Sequence, residues 1–461
     1  MTLPEDFIRE TRLVMGEARF NRFLGAFDEE APVSIRLNPR FPWREECGER
    51  SEKCPTTDSA LDSNLTPHST LLTPPKKVPW CPEGYYLSGR PQFTFDPLFH
   101  AGCYYVQEAA SMFITHVIKS WREEGGGWSE KCSTTDSALD SNLTPHSALL
   151  TPRISVLDLC AAPGGKSTAM RTVLPEGSIL VSNEPIPTRA QILLENMTKW
   201  GWPDCIVTNN YPRDFRKAKM KFDLILCDVP CSGEGMFRKD PNSIGEWSLQ
   251  NVEKCWRLQR EIVADAWECL NPGGILIYST CTYNIKENEE NVRWILDTYD
   301  AEALTIPTDP SWHITGSLLP GFDAPVYRFI PGITRSEGLF MAVLKKRGVW
   351  REECGARNDM QQKKLPLNQG LKVISLPTPH SSLLENTIPL SYQDALKYLR
   401  GEALVLPSDM PRGIVTVTYK GIPLGPVKNI GNRANNLYPK PWRIKTTHLP
   451  SEPPHILKQI V

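Results

Sequence analysis

Long apolar runs are missing from this sequence, and none of its hydrophobic stretches approaches the ~18 residues that a membrane-spanning helix needs, which excludes a helical membrane protein. Net charge is missing too: 52 Lys and Arg face 53 Asp and Glu, a formal charge of -1 over 461 residues. Near neutrality does not exclude a nucleic-acid partner, because such a partner needs only a local cluster of one sign. The opening stretch MTLPEDFIRETRLVMGEARF is charged throughout and has neither an apolar core nor a small-residue cleavage site, so a cytoplasmic location is expected. No C-x-x-C pair occurs. The cysteines number thirteen, an odd count, and several (Cys160, Cys205, Cys227, Cys269) sit inside apolar stretches, a pattern of reduced thiols rather than of a disulfide framework.

What is present is a globular composition, 40% hydrophobic and 23% charged, in a chain long enough for about two to four domains. One internal repeat stands out. Residues 43–74 (WREECGERSEKCPTTDSALDSNLTPHSTLLTP) recur almost unchanged at 121–152, with a fainter echo at WREECGAR from Trp350 and PTPHSSLL at 377–384. The copies are polar, lack helical or strand periodicity and are not in tandem, so they are expected to be disordered surface insertions rather than a solenoid. A metal site is a competing reading, since the first copy offers Cys47, Cys54 and His68. The second copy keeps Cys132 and His146 but has Gly125 in place of the first cysteine, and no metal is expected.

With the insertions set aside, residues 1–100 (insertion 43–75) form a first unit, whose LPEDFIRETRLVMGEARFNRFLGAF reads as amphipathic helix and PVSIRLNPRF as a strand. Residues 101–346 (insertion 121–152) alternate strand-like runs, ISVLDLC, SILVSNE, DCIVTNN, FDLILCDVP and GILIYSTCT, with helical stretches such as TRAQILLENMTKWG and VEKCWRLQREIVADAWECL, the latter stopping at NPGG. That alternation predicts an α/β fold with a doubly wound, mostly parallel sheet. A polar linker is expected over 347–390. Residues 391–461 carry ten Lys and Arg against four Asp and Glu, with short strands and several Tyr and Trp, and read as a small basic module.

In an open parallel sheet, ligands bind at the carboxyl ends of the strands. The first such turn, DLCAAPGGKST, ends in Gly-Lys-Ser like a phosphate-binding loop, but Cys160 occupies the place of that loop's first glycine, so the phosphate reading fails. The second strand ends in Glu184, a carboxylate able to accept from both hydroxyls of a ribose. A ligand with a ribose and no phosphate, S-adenosylmethionine, fits both turns; the alternative is a helix cap with an incidental acid. The fourth and fifth strands end in turns that each hold a cysteine, Cys231 and Cys281, with Asp228 three residues before the first. Methyl transfer to an amine or hydroxyl needs no thiol. Carbon 5 of a pyrimidine does, because it becomes nucleophilic only when a thiolate has added to carbon 6. Asp228, if protonated, suits the ring nitrogen on which charge develops, and the other cysteine suits proton removal or release.

Four motifs, DLCAAPGGK, NEP, FDLILCDVPCSGEGMFRKDP and YSTCTYNIKENEEN, appear in order on these strands, and residues 154–346 resemble the catalytic domain of the RNA cytosine-5 methyltransferases of the Sun or NSUN family. SIRLNP and AGCYYVQEAASMF resemble the N-terminal region of the bacterial members. LSYQDALKYLRGEAL and PLGPVKNIGNRANNLYPKPWRI resemble the C-terminal module of the 16S ribosomal RNA branch, which is similar to PUA domains.

The resemblance implies a Rossmann-like S-adenosylmethionine-dependent methyltransferase fold between an N-terminal α+β RNA-recognition region and a β-rich PUA-like domain. It implies cofactor contacts from Cys160, Ala161, Ala162, Pro163, Gly164, Gly165 and Lys166, and from Glu184, Asn210 and Asp228. It implies Cys281 of the Thr-Cys motif as nucleophile and Cys231 of the Pro-Cys motif as the cysteine of product release; residue chemistry alone leaves that choice open. The family commonly has an Asp at the end of the third strand, where this chain has Asn209 and Asn210. The expected partner is 16S ribosomal RNA or the small ribosomal subunit, met by a monomer with no membrane. Transfer RNA as substrate, or a non-catalytic assembly factor, are the alternatives. Arg238 and Lys239 are candidates for the RNA backbone, and Tyr278 and Tyr283 for stacking on an extruded base or, more ordinarily, for core packing.

Overall fold

The computed structural model describes residues 2–41, 76–123, 153–348, 370–375, 386–446 and 448–459. Both long insertions, with Cys47, Cys54, His68, Cys132 and His146, lie outside the described residues, as does most of the expected linker. Three sheets organise the rest. The first is antiparallel and has the order β2-β3-β1-β4, made of β1 (Ser34–Leu37), β2 (Lys77–Val78), β3 (Cys81–Tyr86) and β4 (Tyr104–Val106). Because β4 pairs with β1, this sheet runs past the boundary expected at residue 100.

The central sheet contains β5 (Ser155–Asp158), β6 (Ile179–Asn183), β7 (Cys205–Thr208), β8 (Phe222–Asp228), β9 (Leu270–Thr280), β10 (Ala301–Ala303), β11 (Tyr327–Phe329), β12 (Leu339–Lys346) and β13 (Val373–Ser375). Its order is β10-β12-β9-β8-β5-β6-β7-β13, with β11 on β12. The five strands from β9 to β7 are parallel. They are the five strands that the sequence pattern predicts, and their apolar runs are buried because helices cover both faces. The chain moves outward from β5 to β7 and then returns to place β8 on the other side of β5. The order therefore reverses between β5 and β8, and a crevice opens there at the carboxyl ends.

Two local differences from the sequence reading have physical reasons. The long helix Leu249–Cys269 stops just before NPGG as expected, but Asn271 to Gly274 already belong to β9, which starts earlier than GILIYSTCT, with a bulge against β8 absorbing the proline and glycines. The expected linker is not connector throughout, since β13 lies within it and pairs antiparallel with β7 at the sheet's edge.

The third sheet, β14 (Thr387–Pro389), β15 (Gly413–Tyr419), β16 (Ile422–Asn429) and β17 (Ala434–Asn436), carries the helix Tyr392–Arg400. It does not stand alone. Ile35, Leu37, Leu98 and Tyr104 of the N-terminal unit share one buried cluster with Leu396, Leu399, Val417 and Tyr438 of the C-terminal one. Tyr392 donates its hydroxyl hydrogen to the Phe95 carbonyl at 3.0 Å. Buried His100 bonds Thr94 and Tyr438, and burial pushes its pKa down to about 3, so the shared core holds a neutral imidazole. The two ends of the sequence thus complete each other's core. Leu396→Ala, in that core, is expected to destabilise the protein by about 2–5 kcal/mol and to expose N-terminal residues such as Tyr104 in the same transition. Denaturant unfolding followed by tyrosine and tryptophan fluorescence checks this; a separate early transition of the C-terminal module would contradict it.

Candidate active site

The turn after β5 begins at Asp158, which is 1% exposed and accepts the Ser167 hydroxyl at 2.6 Å through Oδ2, while Oδ1 has no hydrogen-bond partner. Burial raises its pKa to about 7, the Ser167 bond opposes this, and the charge of Asp228 adds to it. Gly164 takes a left-handed conformation, φ 111°, that lets the helix Gly165–Val173 start tightly against the strand. At the end of β6, Glu184 is 1% exposed. Its Oε1 accepts the Ile186 N–H at 3.0 Å, and Oε2 lies 3.6 Å from Arg189 with no hydrogen bond. A buried carboxylate oxygen lacking a donor is an open acceptor for a ligand, so Glu184 fits a ribose.

Across the crevice, Cys231 and Cys281 come together with their sulfurs 3.2 Å apart. Lys166 reaches over from the first turn and donates to Asp228 at 2.8 Å. Burial pulls the Lys166 pKa down, but Asp228 outweighs it and the net displacement is upward, so the lysine is a cation. Asp228 is therefore paired with Lys166 rather than isolated in the crevice. The hydrogen bond with Cys281 and burial together hold the Cys231 thiol well above its ordinary range, protonated and able to donate to the Cys281 sulfur.

Two buried acids hold these turns in register. Glu234 Oε2 accepts the Tyr283 N–H at 2.5 Å and the Asn284 N–H at 3.1 Å, and its Oε1 accepts from Trp247 Nε1 at 3.0 Å and Asn284 Nδ2 at 2.9 Å. Glu287 returns the tie, accepting the Ser232 N–H at 3.0 Å, Gln259 Nε2 at 2.7 Å and Asn284 Nδ2 at 2.8 Å. Gly235 donates its N–H to the Cys281 carbonyl at 2.7 Å, so close that an added Cβ would meet that oxygen at 2.6 Å.

The N-terminal sheet closes the back of the crevice. Tyr105, Gln107 and Glu108 face Asp158, Lys166 and Asp228 across a cavity of about 160 Å³. Arg36, 1% exposed, bonds Gln107 at 2.8 Å and Thr168 at 2.6 Å, reaches the Gly165 carbonyl at 3.4 Å, and lies over the Trp200 ring. Cys160 is buried, and the carbonyls of Ala162 and Pro163 are held by Arg189 and Asn196. Among the described residues no group of three or more His, Cys, Asp or Glu is arranged to hold a metal ion.

Other candidates go elsewhere. Tyr278 is fully buried and bonds Gln259 and Glu287, while Tyr283, 3% exposed, donates to the Glu337 carbonyl and packs on Phe23. Neither is free to stack on a base: Tyr278 points from β9 into the core beside the central sheet, and Tyr283 packs into the cluster of Phe23. Arg238 is spent on the carbonyls of Glu29, Glu30 and Ser336, whereas Lys239 is exposed. The Asn210 side chain bonds the backbone of Lys372.

Comparison with known proteins fits this arrangement. Residues 148–345 match the family described as 16S rRNA methyltransferase RsmB/F, residues 3–109 the N-terminal domain of 16S rRNA methyltransferase RsmF, and residues 385–444 the methyltransferase RsmF PUA domain. This chain belongs to the RsmB/F methyltransferase family. Among its relatives, the ribosomal RNA small subunit methyltransferase F of Cronobacter sakazakii is 31% identical over 70% of this chain and 62% of its own length. The protein of the same description in Citrobacter koseri is 27% identical over 95% of this chain and 96% of its own. Two solved structures from Pyrococcus horikoshii share the fold: a methyltransferase homolog (22% identity, TM-score 0.51, 75% of this chain and all of that one) and NSun6 with SFG (18%, 0.53, 75% and 99%).

Within this RsmB/F chain, the acids Glu234 and Glu287 and the brace Arg36 went unnoticed in the sequence, although the motifs containing them were in view. Their signal was an acid flanked by glycine or asparagine beside each cysteine turn. Burial, reinforced by Glu234, raises the Glu287 pKa to about 7. The native state thus keeps a proton that the unfolded chain has lost, and this contribution to stability is full below about pH 4.5 and disappears as pH rises through about 7. Glu287→Gln is expected to flatten that slope, by up to about 3 kcal/mol between pH 5 and 8. Equal slopes for both proteins in urea unfolding across that range would contradict the assignment.

Proposed function

We propose that this protein transfers a methyl group from S-adenosylmethionine to carbon 5 of a cytosine in 16S ribosomal RNA, with Cys281 as nucleophile. The observation that carries the reading is the pair of thiols 3.2 Å apart beside the Lys166–Asp228 ion pair. Transfer to oxygen or nitrogen would need neither thiol, and both cysteines are partly exposed at the crevice, whereas the other free cysteines described are buried. The turn from Cys160 through Ala161, Ala162, Pro163, Gly164 and Gly165 to Lys166 wraps the cofactor, and Glu184 takes its ribose. Bound there, the cofactor supplies the methyl group.

The rest is done by the chain's own residues. Cys281 enters as the thiolate, its sulfur bonds to carbon 6, and the ring electrons move toward N3, where the Lys166–Asp228 pair provides the hydrogen bond or proton. Carbon 5 takes the methyl group and then gives up its proton to solvent water, the electron pair of that carbon–hydrogen bond forming the carbon 5–carbon 6 double bond. The sulfur–carbon 6 bond breaks, the double bond is restored, and N3 returns its proton to the pair. Cys231, with its sulfur against that of Cys281, assists this last elimination. The basic C-terminal module and the N-terminal sheet that shares its core hold the surrounding RNA through phosphate and shape contacts. The protein acts as a monomer in the cytoplasm.

The test is transfer of labelled methyl to small-subunit particles, deproteinised ribosomal RNA and bulk transfer RNA, read as 5-methylcytidine by nucleoside mass spectrometry. Label is expected in 16S ribosomal RNA or the particle, and label in transfer RNA alone would overturn the substrate. Cys281→Ser should lose product altogether. Cys231→Ala should accumulate a covalent protein–RNA adduct, seen as a retarded band on a denaturing gel; an inactive Cys231→Ala protein without adduct would reverse the roles given to the two cysteines.

A further inference from the structure

The end of β7 is where a cofactor's adenine would meet the sheet, and the expectation there was a contact from Asn210. The side chain is engaged otherwise. Its Nδ2 donates to the Lys372 carbonyl at 3.1 Å, and its Oδ1 accepts the Lys372 N–H at 2.8 Å. One amide side chain therefore pairs with both polar groups of a single residue's backbone, as a neighbouring strand would. Asn209 adds to this: its N–H donates to the same Lys372 carbonyl at 3.0 Å, and its Oδ1 accepts from Lys372 Nζ at 3.0 Å. The Asn210 backbone is itself fixed, its N–H donating to Asn183 Oδ1 at 3.0 Å and its carbonyl accepting from Asn183 Nδ2 at 2.9 Å. Next to Lys372, Leu371 is 9% exposed and belongs to the buried cluster that also contains Cys160, Ile206 and Val229, residues of the cofactor turn, of β7 and of the stretch after Asp228.

We propose that Asn210 is a latch: it holds Leu371 and Lys372, from the segment joining the methyltransferase and C-terminal units, as the outer wall of the nucleoside end of the cofactor site. This rests on the reading of the Cys160 turn and Glu184 as that site. Asn210 is a positioning residue, and its chemistry makes it one. An amide donates and accepts at once, whereas an aspartate here would set a carboxylate against the Lys372 carbonyl and lose the donor. For a residue that accepts from the adenine amino group, the preference is opposite, because a carboxylate accepts better than an amide. The two roles predict effects of opposite sign for one substitution.

The experiment is calorimetric binding of S-adenosylmethionine and of S-adenosylhomocysteine to the full chain, as wild type, Asn210→Asp and Lys372→Pro. The second variant changes an exposed residue and deletes the N–H that Asn210 accepts. Asn210→Asp is expected to raise both dissociation constants about tenfold, the scale of one lost hydrogen bond with a carboxylate left facing the Lys372 carbonyl. Lys372→Pro should shift them in the same direction, with the KM for S-adenosylmethionine rising more than kcat falls. A merely structural role would lower the ligand-free melting temperature and leave affinity at 25 °C untouched. Equal or tighter binding by Asn210→Asp, or unchanged binding by Lys372→Pro, overturns the latch. Failure of the wild-type protein to bind either ligand would instead overturn the site reading, and the latch with it.

Discussion

Everything at the crevice depends on two turns from different strands arriving with their sulfurs 3.2 Å apart, and that closeness is imposed by carboxylates rather than by the sheet. Neighbouring parallel strands lie about 4.8 Å apart, and the turns beyond them diverge unless they are tied. Glu234, on the Cys231 turn, binds the backbone of the Cys281 turn; Glu287, beyond the Cys281 turn, binds the backbone of the Cys231 turn. The ties run in both directions, so neither turn can shift without stripping a buried acid of its donors. Such a loss costs several kcal/mol, far more than a typical exposed ion pair contributes. The close approach of Gly235 to the Cys281 carbonyl is the steric counterpart of the same restraint.

The crevice also needs a fixed far wall, and that wall comes from outside the central sheet. Arg36 crosses from the N-terminal sheet to the helix that starts at Gly165, desolvated enough that burial lowers its pKa to about 10, and it still keeps its charge. Because the N-terminal sheet shares its core with the C-terminal module, that module and the back wall of the crevice belong to one packed body. Tyr104 lies in that shared core, the neighbouring Tyr105 donates to the Pro163 carbonyl and Arg36 bonds Thr168, so contacts join the module to the turn after β5 outside the central sheet.

The five parallel strands and the turns that end them were legible because burial on both faces writes continuous apolar runs, and because reactive residues gather where such strands stop. The pairing of Cys231 with Cys281 was legible for the same reason. The shared core of the two chain ends was not: Leu98 and Leu399 lie some 300 residues apart, and periodicity carries no information about which amphipathic faces meet. Tyr278 and Tyr283 were ambiguous because an aromatic at a strand end looks alike whether it faces a ligand or the core; in the structure their hydroxyls are bonded to the carbonyls of Glu287 and Glu337, the latter 54 residues on. The strand β13 was hidden in a polar stretch because an edge strand held by the asparagines at the end of β7 needs little apolar signal of its own.

Charge gives the crevice a preference that geometry alone does not. Asp158, Glu184 and Asp228 surround it, and Lys166 neutralises one of them. Burial raises the Asp158 pKa to about 7, with the charges of Asp228 and Glu184 adding to it, and one oxygen each of Asp158 and Glu184 lacks a donor. A methyl donor bearing a sulfonium and an ammonium relieves that negative excess on binding, while the same molecule without its methyl group, having lost the sulfonium charge, relieves less of it. The site is therefore expected to hold the charged donor more firmly than the spent product.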